Sequence, residues 1–207
     1  IEITRDGHYA ISPSEISGHI YKVSHNFPDG EYLLIENRQP IKWDDNWPDR
    51  CGIVIYHVDE KAPKQSARGY PGHANWPRDH YLVSVLQADG RYDIEKGVNT
   101  GDESDFWRKG DILGAGGDFP NTDSIQGGIR SETGISISIL SDPGFIMRFQ
   151  VKGVSGIGGI APSPRDGDLP PEDADRSDPN TVGHVLSWML SLLGAAAAMV
   201  GVLIVVL

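Results

Sequence analysis

The sequence predicts an all-β domain, an antiparallel β-sandwich-like structure with long loops, then a linker and one C-terminal transmembrane helix. Three observations predict it. Short apolar runs rich in β-branched and aromatic residues recur over residues 1–153, each bounded by Gly, Pro, Asn or Asp. Nothing between them shows the spacing of an amphipathic helix, which points to an antiparallel sandwich or barrel-like arrangement. Beyond Gly153 the composition changes twice, first to Gly, Ser, Pro and Asp over 154–183, then to an apolar tail over 184–207.

Taken in order, the first strand candidates are Glu2 to Thr4 and Gly18 to Val23, separated by Ser and Pro. The central pair follows. Tyr32-Leu33-Leu34-Ile35 runs into Glu36-Asn37-Arg38-Gln39, and Gly52-Ile53-Val54-Ile55-Tyr56 runs into His57-Val58-Asp59-Glu60. Both are apolar segments with polar, charged ends. From Lys61 to Arg78 the chain holds Pro63, Gly69, Pro71, Gly72 and Pro77, too broken for regular structure. Tyr81 to Gln87 reads as the next strand and stops at the turn Asp89-Gly90. An irregular block spans Val98 to Asp123. Two closing strands, Ile135 to Leu140 and Phe145 to Val151, alternate apolar and polar residues and are joined by the turn Ser141-Asp142-Pro143-Gly144.

The formal net charge of -11 argues against a nucleic-acid partner, since no basic patch is available to meet phosphates. Cys51 is the only cysteine, so no disulfide forms within the chain, and a free buried thiol beside a strand is its expected role. With Ile first and no evident signal peptide, the chain reads as the C-terminal part of a longer precursor. Residues 154–183 offer almost nothing to bury and read as a flexible acidic linker. Val185 to Leu207 carries no charged side chain over 23 residues. As a helix it would reach about 34 Å, enough for a bilayer core. Two membrane readings stay open: a permanent single-pass anchor with the β domain outside, or the removable tail of a lipid-anchor signal.

Charged groups at strand ends need partners when buried. Glu36 and Arg38 share a strand face by alternation, which suits an ion pair at a sheet edge, or a part in chemistry. His57 and Asp59 share a face in the same way, which suits a hydrogen bond that fixes the imidazole ring. These four are expected to support a site rather than catalyse. No His-Glu-x-x-His motif, no Gly-x-Ser-x-Gly elbow and no nucleophile context for Cys51 is present, so the chain contains no active site of its own. His73 and His80 lie on irregular chain at a spacing that does not make a helical zinc pair. Asp89, Asp93, Asp102 and Asp105, with Asn99 and Glu103, crowd one loop-rich stretch. Such oxygen ligands suit calcium, though a solvated acidic loop explains them as well, and the EF-hand pattern is absent. Trp43, Trp47, Trp76 and Trp107 sit in or beside the irregular blocks, where they are expected to pin long loops onto the sheet or to form a substrate-binding rim.

Linked blocks across residues 1–151 carry a resemblance: IEITRDGHYAISP, SGHIYKVS, YLLIENRQ, GIVIYHVDE, HYLVSVLQADG and NTGDESDFW. In this order they resemble the region C-terminal to the zinc-binding motif of the immune inhibitor A-like secreted metallopeptidases (metallopeptidase family six). Tyr56 stands where the family usually has Trp, and Asn46 to Cys51 replace a Leu-Pro-Gly-type turn. The resemblance implies a zinc-bearing protease domain just upstream of Ile1, with zinc bound there and not by this chain. It implies protein substrates, an extracellular address, and calcium at the Asn-Thr-Gly-Asp block. A non-catalytic, membrane-anchored binding or adhesion module is the alternative.

Overall fold

The computed structural model describes residues 1–41, 48–62 and 69–154. Over these the chain is all-β, with two four-stranded antiparallel sheets and few helical turns. One sheet takes the order β2 (Tyr21–Val23), β3 (Glu31–Arg38), β4 (Gly52–Asp59) and β5 (Val83–Val85). The other takes the order β1 (Gly7–Ile11), β8 (Met147–Lys152), β7 (Ser136–Ile139) and β6 (Ile112–Leu113). The first strand of the chain is therefore hydrogen-bonded to the last one, Gly7 opposite Val151 and Ile11 opposite Met147.

A two-residue alternation decides which side chains enter the core. Leu33 and Ile35 of β3 and Ile53 and Ile55 of β4 face inward, against Leu113, Ile137, Ile139, Met147, Phe149 and Val151 of the other sheet. Both sheets thus bury their apolar faces in one shared core. Tyr9 and Tyr21 extend it around Phe149, with ring centroids 5.5–5.6 Å apart. Asn37 joins the sheets with polar bonds: its side-chain amide donates to Ile11 O at 3.1 Å and Gly144 O at 3.0 Å.

The strand expectations were met unevenly. Glu2 to Thr4 supplies only a single bridge, Glu2 to Lys22, and the first true strand is β1, from Gly7. Tyr81 to Gln87 contracts to three residues, Val83–Val85. β6 lies inside the stretch expected to be irregular; its two residues pair with β7, a length that leaves little trace in sequence. Trp107 pins its block onto the sheet as expected, bridging to Ile53 and donating its indole N–H to Leu86 O at 2.7 Å. That close approach needs Gly52, at φ 144, where a Cβ would sit 3.1 Å from Trp107 O. Cys51 is half-buried rather than buried. Val154 belongs to the core, one residue past the expected boundary. Trp43, Trp47, the rest of the linker and the apolar tail 184–207 lie outside the described residues. Among the described residues, no helix is long and apolar enough to cross a membrane.

Candidate functional site

At one end of the β3–β4 ladder the inward row stops being apolar. Glu31 stands directly across from Asp59, and both carboxylates are fully buried. Two like charges opposed across a ladder repel, so this pairing requires compensation from other elements. Each carboxylate has its own imidazole. His57 Nε2 lies 2.7 Å from Glu31 Oε1, and His80 Nε2 lies 2.9 Å from Asp59 Oδ2.

Further donors close each shell. Glu31 accepts from the Ser124 hydroxyl at 2.5 Å and from the Ile125 backbone N–H at 2.7 Å. Burial alone would push the Glu31 carboxyl up, but the bonds from His57, Ser124 and Ile125 outweigh it and hold the group below the ordinary range. Asp59 accepts from the Lys61 N–H and the Gln126 amide, each at 2.9 Å. His80 presents its second nitrogen, Nδ1, to Pro77 O at 2.7 Å. Both ring nitrogens of His80 thus face oxygen atoms.

His57 differs in one respect. Glu31 takes its Nε2–H, while Nδ1 is buried without a hydrogen-bond partner among the described residues. In the neutral ring this nitrogen is an acceptor, fixed in direction by the carboxylate on the opposite edge. His57 and His80 both line a cleft of about 420 Å3, the space at its mouth included, whose closed part has room for one or two water-sized groups. Tyr92 lines it too, and its hydroxyl is likewise buried without a partner among the described residues. Burial raises the Tyr92 phenol well above its usual value, so it stays protonated.

The four supporting residues expected from sequence take different places. Arg38 lies 3.8 Å from both Glu36 and Glu15, an ion pair at the end of the inner strand β3 on the face opposite the core, and not on an edge strand. The chief partner of Glu36 is the Tyr56 hydroxyl at 2.6 Å. His57 and Asp59 do share the inward face, but they do not bond to each other. Glu31 and His80 are the partners; the sequence singled out His80 only as a rejected zinc ligand and did not single out Glu31. Alternation shows which residues share a face, whereas only the β3–β4 register brings Glu31 opposite Asp59. His80 arrives from a loop, where no periodicity applies.

The acidic loop also contracts. Ligand atoms of Asp89, Asp102 and Asp105 lie within 4.8 Å of one another, and Asp93 is not of that group. Local hydrogen bonds account for much of the cluster. Asp102 caps the 3-10 turn Glu103–Asp105, Ser104 Oγ donates to Asp89 and Asp102, and Asn99 Nδ2 donates to Asp102. The Asp105 carboxyl is raised, first by burial and then by the neighbouring charges of Asp102, Asp89 and Asp93.

Comparison with family models, with curated proteins and with solved structures gives no match to this chain.

Proposed function

We propose that the chain is the C-terminal β portion of a membrane-tethered extracellular zinc metalloendopeptidase, supporting the cleaving part rather than carrying the chemistry. The observation that carries this reading is spatial. Three of the blocks behind the resemblance lie side by side in one sheet, YLLIENRQ as β3, GIVIYHVDE as β4 and HYLVSVLQADG as β5, while IEITRDGHYAISP supplies β1 of the other. Trp107, at the end of NTGDESDFW, bridges to Ile53 of the same sheet. Their side-by-side placement supports reading them as one inherited unit.

Zinc belongs, on this proposal, to residues preceding this chain. His57 and His80 each commit Nε2 to a buried carboxylate. Among the described residues, the only group of three ligand-type side chains close enough to share an ion is the Asp89, Asp102 and Asp105 set. That all-oxygen set suits calcium and not zinc, and calcium there, stiffening the acidic loop, is the second part of the proposal. The uncharged run Val185 to Leu207 would hold the domain at a membrane, as a permanent span or as a lipid-anchor signal.

The test is casein hydrolysis by the full-length precursor with zinc, after chelation, and after zinc is restored. Activity that disappears and returns supports the peptidase reading. A folded, fully processed precursor without activity favours the tethered binding module.

A further inference from the structure

We propose that the cleft beside β4 is a receptor for a primary ammonium group, with His57 Nδ1, the Tyr92 hydroxyl and the Glu95 carboxylate accepting its three protons between aromatic walls. This rests on the chemistry of the cleft and does not depend on the peptidase reading.

Among the described residues, two of these groups are buried polar atoms without a partner, His57 Nδ1 and Tyr92 Oη, and their residues line the same small space. An unmet buried acceptor is costly, so a guest that donates to it is favoured. With Nε2 held by Glu31, the neutral His57 ring offers a lone pair at Nδ1. Glu95 is the third member of the lining. Its carboxyl receives a bond from the Gln87 amide, and burial, the largest influence, raises it above the usual range. The flanking charge of Arg130 is already matched by Asp123 at 2.6 Å, and His80 already bonds Asp59. Glu95 is therefore the lining charge that gains most from a cation.

The walls point the same way. Tyr70 stacks on Tyr92 with centroids 6.4 Å apart, and Trp76 meets Phe119 edge-on at 4.4 Å. All four rings line the cleft, and aromatic faces attract a desolvated cation. Tyr92 is held at φ 57, a region that bulky side chains rarely adopt, so the fold accepts strain to keep this ring in place. The closed part admits a group of water size, which fits an ammonium head and excludes a guanidinium. The net charge of -11 draws cations to the surface. A lysine side chain of a peptide and a free alkylamine share this head.

The test uses the full chain in detergent micelles near neutral pH, with n-butylammonium, n-butanol and Nα-acetyl-lysine amide as probes. Binding is read from the Trp76 indole resonance and from the melting temperature. The proposal expects saturable binding of n-butylammonium with n-butanol at least about tenfold weaker, the worth of a charge-assisted bond. Tyr92→Phe and Glu95→Gln should each weaken it about tenfold; Tyr92→Phe keeps the ring and its stacking, so folding is not at issue. Binding of the lysine derivative alone would assign the cleft to peptides, and binding of both would assign it to alkylamines generally. Equal binding of n-butanol, no saturable response at tens of millimolar, or indifference to both substitutions would overturn the proposal.

Discussion

Glu31 shows how one side chain is held in an apolar interior, and Ser124 is the member of its shell that can be removed most cleanly. Ser124→Ala deletes a 2.5 Å donor without changing the backbone. It should cost about 1–3 kcal/mol, because the acceptor stays buried with one bond fewer. The acid limb should move as well. A carboxyl held below its unfolded value contributes stability that is complete above about pH 4.3 and is lost as pH falls through the folded value. Removing a lowering donor brings the folded value up toward the unfolded one, so the acid-dependent loss should be smaller and should finish at higher pH; urea titrations across pH 3–6 that shift in parallel would contradict this. For calcium, the prediction is that millimolar calcium raises the melting temperature of the full chain over a chelator control. Asp102→Asn with Asp105→Asn should abolish that difference, whatever the pair does to the baseline. An unchanged melting temperature in the native chain would remove calcium from the account. At this scale the sequence was half legible: His57 and Asp59 stood out by alternation, while their partners come from another strand and a loop.

The cleft depends on elements that pack backbone against backbone. Gly69 reaches the chain near His80 so closely that a Cβ would lie 1.8 Å from Asp79 O. No rotamer relieves such an overlap, so Gly69→Ala must displace one segment. The expected cost is about 1–3 kcal/mol. Trp76 emission and His80 protection should change with it, because both lie on the displaced side of the cleft. A variant with native stability and native emission would show that the loop yields freely. β4 could be read from sequence because burial on both faces demands a continuous apolar run, and β3 because Tyr32 to Ile35 is apolar on its buried and its half-buried face. β6 could not, since two residues carry no period, and β1 could not, since His8 and Tyr9 interrupt its alternation.

Across the whole molecule the two sheets have no separate interiors. Phe149 is fully buried between Tyr9 and Tyr21, residues of different sheets. Phe149→Ala should cost about 3–5 kcal/mol. Both sheets should still melt together, which tryptophan emission near β4 and amide exchange in β8 would report as coincident transitions. Separate transitions would mean that the core is two cores. All-β character follows from pattern alone, but the strand order within each sheet does not, because it depends on which edges meet after collapse. The closure of β1 on β8 has a mechanical consequence. Gly7 pairs with Val151, so the chain enters and leaves the sheet at the same end of one antiparallel pair. A pull between those two points loads the ladder one hydrogen-bonded pair at a time instead of shearing all of them together. The domain should therefore unzip at low force, from its own first and last strands inward.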